Sequence, residues 1–199
     1  YSSPNLVDWT FRRDLIRQEG AFAKVDWAGR PGLLRNRRTG RWVIVFEADC
    51  PDWFRHKVGY ASSGSLDGDY RLEGFEYPEP GRSTGDQSLF QEGDDAYLLT
   101  VLDSPGLRKP INVDLAIYRL TPDFLRVDRK LFEGFDHLKS GERGNEASHI
   151  IRRDGTYYWF MSGLVGWNSS ETRYATAPAL AGPWSPLRPV RTDPPSEAS

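Results

Sequence analysis

The chain has 199 residues with 38% hydrophobic content, enough for one sizeable core or two small ones, and no apolar run reaches the roughly 20 residues of a bilayer-spanning helix. Its 26 basic and 28 acidic residues leave a formal net charge of −2, and the short cluster from Arg35 to Arg41 sits in a turn, so neither nucleic acid nor a membrane is expected as a partner. Cys50 is the single cysteine, His56, His137 and His149 are scattered, and neither CxxC nor HExxH occurs, so no internal disulfide, metal site or cofactor is expected.

In chain order, YSSPNLVDWTF places the turn Ser3-Pro4-Asn5 between short apolar pieces. Asp14 to Gln18 is the best helical candidate and is too short for more than one turn. Elsewhere Gly, Pro or β-branched residues interrupt every window of helix length, so the chain reads as all-β. Three long stretches then run alike: RPGLLRNRRTGRWVIVFEA from Arg30, DQSLFQEGDDAYLLTVLDS from Asp86 and EASHIIRRDGTYYWFMSGL from Glu146. Each has a polar residue, a short apolar strand, a charged turn with Gly or Asp, and an apolar or aromatic strand. In the third, Asp154-Gly155 is the pair favoured where both central turn positions need positive φ. A strand, turn, strand unit follows each stretch, marked by Tyr60 and Tyr70, by Tyr118 and Phe124, and by Tyr174 and Trp184. The first residues resemble a further copy of that unit.

The long stretches start 56 and 60 residues apart, slightly beyond the roughly 40 to 50 residues of familiar propeller repeats, which leaves room for functional loops. Four short antiparallel strands per repeat make a propeller blade. The expected organisation is one propeller domain over 1–199. Within it 1–27 form the outer strands of an incomplete blade plus a linker, 28–80, 84–136 and 145–193 are whole blades, and 194–199 is a tail. About three and a half blades are thus expected. An open arc exposes strand edges and an apolar blade face, so another chain or a missing segment is expected to complete the ring. The start at Tyr1, without a signal-peptide pattern, suggests processing or a fragment.

In a propeller the innermost strand of each blade lines the channel, and the loops leading into these strands open on one face. The repeat therefore brings Arg30, Asp86 and Glu146 to equivalent places on neighbouring blades. Two carboxylates placed side by side raise one another's pKa, which keeps one protonated as an acid, the group that glycoside hydrolysis needs for its departing oxygen. The plain alternative is that Asp86 and Glu146 only cap backbone amides at strand starts. Trp27, Trp53 and Phe54 lie in loops where they can stack on a sugar, although packing is the commoner use of Trp. Asp94-Asp95 in a hairpin turn is ordinary turn chemistry rather than a calcium loop. Asn168-Ser169-Ser170 fits a glycosylation sequon.

RPGLLRNRRTGRWVIVF, GDQSLFQEGDDAYLL, NEASHIIRRDGTYYWFMSGLVGWN and ATAPALAGPW together resemble glycoside hydrolase family 43, most closely its exo-β-1,3-galactanase branch, over nearly the whole chain. The resemblance implies a five-bladed β-propeller of inverting glycosidases. It implies Glu146 as general acid, Asp86 as the carboxylate that tunes and orients that acid, and Trp167 and Asn168 in a loop shaping the sugar subsite; Arg30, brought to the same pocket by the repeat, is expected to bind substrate. The chain departs from the pattern in two places. The family's Glu-Ala-Pro reads Glu146-Ala147-Ser148, and Gly29 stands where the branch has a carboxylate before Arg30-Pro31. The family's general base would precede Tyr1, so no residue takes that role. The implied function is exo-hydrolysis of a β-1,3-galactan or related plant-type polysaccharide by a secreted protein. The alternatives are an arabinofuranosidase or xylosidase on the same scaffold and a non-catalytic propeller that binds glycan or protein.

Overall fold

The computed structural model describes residues 1–49, 56–103, 112–135, 144–165 and 168–190. Among them are three four-stranded antiparallel sheets, each a simple meander. The first holds β1 (Ala28–Arg35), β2 (Trp42–Ala48), β3 (Lys57–Ser63) and β4 (Arg71–Glu76). The second holds β5 (Thr84–Glu92), β6 (Asp95–Asp103), β7 (Asn112–Leu120) and β8 (Val127–Gly134). The third holds β9 (Asn145–Arg153), β10 (Thr156–Gly163), β11 (Thr172–Ala177) and the short β12 (Arg188–Pro189). The leading strands are neighbours, because β5 packs against β1 on one side and β9 on the other.

Local sequence explains the hairpins. Asp154 and Gly155 take φ values of 50° and 80°, and the two-residue loop they form pairs Arg153 with Thr156. Both central positions of such a loop need positive φ, which Asp tolerates and Gly adopts freely. Between β1 and β2 the buried Asn36 does the equivalent work. Its backbone N–H bonds the Arg41 carbonyl, its Oδ1 accepts from Thr39 N–H, and its Nδ2 reaches the Pro122 carbonyl at 2.8 Å, tying the first sheet to the second.

Packing follows the two-residue period of the strands. Ala96, Leu98 and Leu102 of β6 join Val43, Val45, Val58 and Tyr60 of the first sheet in one apolar cluster. Leu99 and Val101 of the same strand turn the other way and join Ile150, Trp159 and Met161 of the third sheet. The middle sheet is therefore buried on both faces, which is why β6 reads as a nearly unbroken apolar run. In the third sheet Trp159 is completely buried, with the rings of Trp184, Phe135 and Phe132 at 5.2, 5.6 and 5.8 Å. Several of these contacts are edge-on, the arrangement favoured by the ring quadrupole.

The N-terminal segment differs from the expected pair of outer strands. Residues 1–27 form a single antiparallel bridge, Ser2 to Thr10, and a 3-10 helix at Gly20–Lys24. Two short strands joined by a turn are marginal without a third to pair with, and here the bridge has no neighbouring strand among the described residues. Phe22 and Val25 instead cover Ile44, Phe46 and Ala48 on the outer face of the first sheet. Asp14 to Gln18 is not helical.

Candidate active site

Each of the three leading strands carries an irregularity of register at the same repeat position. The shifts fall between Gly29 and Gly32 in β1, between Thr84 and Gln87 in β5, and in β9 opposite the step from Phe160 to Ser162, beside Glu146. A bulge bends its strand and re-aims a side chain. Two of the residues concerned hold uncommon backbone conformations for non-glycine residues, Arg30 at φ 47° and Ala147 at φ 50°. The repeat thus turns Arg30, Asp86 and Glu146 out of the pleat towards one another.

Asp86 is the hinge of this cluster. Its carboxylate takes the Arg30 guanidinium, with Nη2 at 2.8 Å from one oxygen and 2.9 Å from the other. The second oxygen also accepts the Ala147 N–H at 3.0 Å. Asp86 therefore grips the backbone immediately after Glu146, and Ser162 Oγ donates to the Glu146 carbonyl at 3.3 Å. Ser88 Oγ adds a bond to the Ser148 carbonyl at 2.5 Å, joining β5 to β9 just below. These contacts fix the Glu146 backbone from both sides. Its carboxyl has no hydrogen-bond partner among the described residues and is half-buried. Burial raises its pKa most, the Asp86 charge raises it further, and Arg30 pulls it back. The result is a carboxyl held more protonated than an ordinary Glu, on a strand, with its oxygens unpartnered among the described residues.

Not every expected site residue joins the cluster. Asn168 is exposed, and its side-chain amide donates to the Val165 carbonyl at 3.2 Å in a local turn, with no contact to Arg30, Asp86 or Glu146. Trp167, Trp53, Phe54 and His137 lie outside the described residues. Asp95 forms ion pairs with Arg119 and Arg38 across the surface, so the Asp94-Asp95 turn has a structural partner for its second carboxylate. Among the described residues no group of three or more His, Cys, Asp and Glu side chains is arranged to hold a metal ion.

A third carboxylate, Glu47, belongs beside this cluster and was not singled out from sequence. It lies at the end of β2, directly opposite Gly29 in register, on the face that carries Val43 and Val45 towards the second sheet. It is buried, and its nearest basic atom is His56 Nδ1 at 3.6 Å. Burial, then the Asp86 charge, push its pKa up to about 7, with Asp49 adding to the rise and Arg30 opposing it. Asp103, which follows Asp86 at the spacing by which Glu47 follows Arg30, shows the contrasting case. Its carboxylate accepts the Ser83 N–H at 3.0 Å and the Ser83 hydroxyl at 2.7 Å. Glu47 has no such pair of donors among the described residues. The visible signal is a carboxylate closing the apolar run Val43-Ile44-Val45-Phe46.

The Glu47 pKa makes a stability prediction. A carboxyl whose folded pKa lies above its ordinary 4.5 stabilises the fold fully below about 4.5, and that contribution is lost as the pH rises through about 7. Glu47→Gln does not titrate. It should therefore gain on the native protein between pH 4 and 8, by on the order of 3 kcal/mol at most. Urea unfolding at the two pH values measures the difference, and parallel stabilities would show that Glu47 ionises without cost.

Comparison with known proteins places the chain. The family described as Glycosyl hydrolases family 43 matches residues 1–197, and the chain belongs to that family. Its three sheets match part of the five-bladed propeller of family members. Among solved structures, the exo-β-1,3-galactanase of Phanerochaete chrysosporium with β-1,3-galactotriose is similar at 25% identity and TM-score 0.80, over 94% of this chain and 42% of that one. The exo-β-1,3-galactanase of Clostridium thermocellum is similar at 25% identity and TM-score 0.79, over 94% and 41%. A putative exo-β-1,3-galactanase of Bifidobacterium bifidum follows at 26% identity and TM-score 0.72, over 88% and 55%. The chain thus spans about half or less of the length of these relatives. No curated protein matches it.

Proposed function

We propose that this family 43 chain carries the acid side of an inverting glycosidase that acts from the chain end of a β-1,3-galactan or related plant-type polysaccharide. The observation that carries the reading is the position of Asp86, which binds Arg30 with both oxygens and the Ala147 N–H with one, immediately behind Glu146. In this reading Glu146 protonates the departing glycosidic oxygen. Asp86 holds it in place and keeps it protonated, and Arg30, still half-exposed, is available to sugar hydroxyls. The likeness to galactanases, one of them with β-1,3-galactotriose, supports a galactan as substrate. A polymeric substrate of this kind favours a secreted protein.

An inverting reaction needs an ionised base about 6.5 to 9.5 Å from the acid to activate water. Glu47 is ill-suited to that duty. Base and acid are most abundant in the right forms when the base ionises readily, whereas Glu47 is deeply buried and its pKa is pushed up to about 7. The base is therefore proposed to come from outside the described residues, from another chain or from a further segment that completes the propeller. A second reading, a non-catalytic propeller that binds glycan, is favoured by this same lack of an assignable base among the described residues. Incubating the propeller completed by that chain or segment with β-1,3-galactobiose separates the two: release of galactose supports the hydrolase, and binding without release supports the second reading.

A further inference from the structure

Trp27 immediately precedes β1 and is 45% exposed, unlike the buried Trp159. It belongs to none of the three apolar clusters that make up the core. Its place is nevertheless fixed. The backbone carbonyl accepts the Asp49 N–H at 2.9 Å, and the indole meets the His56 ring edge-on at 5.7 Å. The benzo edge of the indole lies against Gly29, where a Cβ would overlap it. Gly29 is thus required by a close approach of the ring, and any side chain there would displace Trp27.

The register tells which way this indole faces. Directly opposed residues of an antiparallel pair point to one face. Gly29 is opposed to Glu47 and Gly32 to Val45, and a Cβ on Gly32 would meet Leu89 of β5. The face that carries the indole is therefore the one turned to the second sheet. Leu89 lies three residues beyond Asp86 along β5, as Gly32 lies three beyond Gly29 along β1. Trp27 consequently stands at the Asp86 end of the groove between the first two sheets, next to Arg30. An exposed, rigidly seated indole outside the described core clusters, beside a guanidinium and two carboxylates, offers the pairing that pyranose rings demand. One ring face is an apolar patch of C–H bonds, and the rim is hydroxyls.

We infer that the Trp27 indole, seated on Gly29 beside Arg30, is the stacking platform for a sugar ring held against Arg30, Asp86 and Glu146. This rests on the glycosidase reading above. The platform takes the apolar face of a pyranose and leaves the hydroxyl rim to Arg30. In the same position the indole covers the Glu47 side of the groove and keeps water from that carboxyl.

The test is binding of β-1,3-galactotriose to the protein carrying Glu146→Gln, so that the probe is not consumed, measured by calorimetry. Trp27→Ala should weaken Kd by about ten- to a hundredfold, as loss of a central aromatic anchor does, and Trp27→Phe should recover most of it. Gly29→Val, which keeps the indole but unseats it, should weaken binding like Trp27→Ala. Saturation transfer from the bound sugar to the Trp27 indole N–H gives a readout that needs no truncation and that a purely structural role would not produce. Binding left within about twofold by Trp27→Ala, or absence of transfer to that indole in a protein that binds the trisaccharide, overturns the platform alone. Failure of the parent protein to bind the trisaccharide at all overturns the galactan reading, and the platform with it.

Discussion

Glu146→Gln in the completed propeller is expected to lower kcat on β-1,3-galactobiose by about 10² to 10⁴, the range that general acid catalysis contributes, and to leave Kd for the disaccharide within about threefold. The amide keeps the shape and the hydrogen-bonding rim of the carboxyl but has no proton to give to the departing oxygen. The rest of the site survives because the groups that position residue 146 act on the backbone. Asp86 takes the Ala147 N–H, and Ser162 holds the Glu146 carbonyl. An aryl galactoside, whose leaving group departs without protonation, should lose far less than the disaccharide. Comparing kcat on the two substrates checks the assignment. Equal losses on both would show that residue 146 serves the fold or the binding of sugar, not the proton transfer.

Asp86→Asn should move the alkaline limb of the kcat profile to lower pH and reduce kcat near neutrality by about 10- to 10³-fold. The sign follows from two effects in one direction. Removing the Asp86 charge removes a term that raises the Glu146 pKa, and Arg30, which lowers that pKa, loses its counter-ion. Glu146 then ionises at lower pH and spends less time as the acid. Activity should partly return on acidification, since protons restore what the charge had maintained. A pH profile of kcat from 4 to 8 separates this from simple misfolding, which lowers the whole curve without moving its limb.

The architecture was largely legible because propeller sheets are local. Each hairpin in the first and last sheets announces itself by charged or Gly-containing turns between apolar runs, and Asp154-Gly155 even declares the handedness of its loop. The convergence of Arg30, Asp86 and Glu146 followed from repeat phase, since side chains at one phase of neighbouring blades face one channel. What could not be read was contact across the repeat. Glu47 ends an apolar strand and looks in sequence like any polar residue at a sheet margin. Its burial and its neighbourhood with Asp86 arise from the pairing with Gly29 and the packing of the first sheet on the second. Trp27 could be named as a sugar platform but not placed, because its seat depends on Gly29 having no side chain. The expectation for residues 1–27 failed for the opposite reason. Their pattern of aromatic residues around a turn matches the outer strands elsewhere, yet strand formation depends on a neighbour, and among the described residues they have none.

The account turns on Glu146 acting as the acid of an inverting hydrolysis. The most direct measurement is the proton NMR spectrum of β-1,3-galactobiose during its first minutes with the completed propeller that includes the base, run beside Glu146→Gln. Inversion at a β-linkage predicts that galactose appears first as the α-anomer and turns to the equilibrium mixture only by mutarotation, and that the variant releases almost none. Galactose appearing first as the β-anomer, or at the same rate from the variant, would contradict the account.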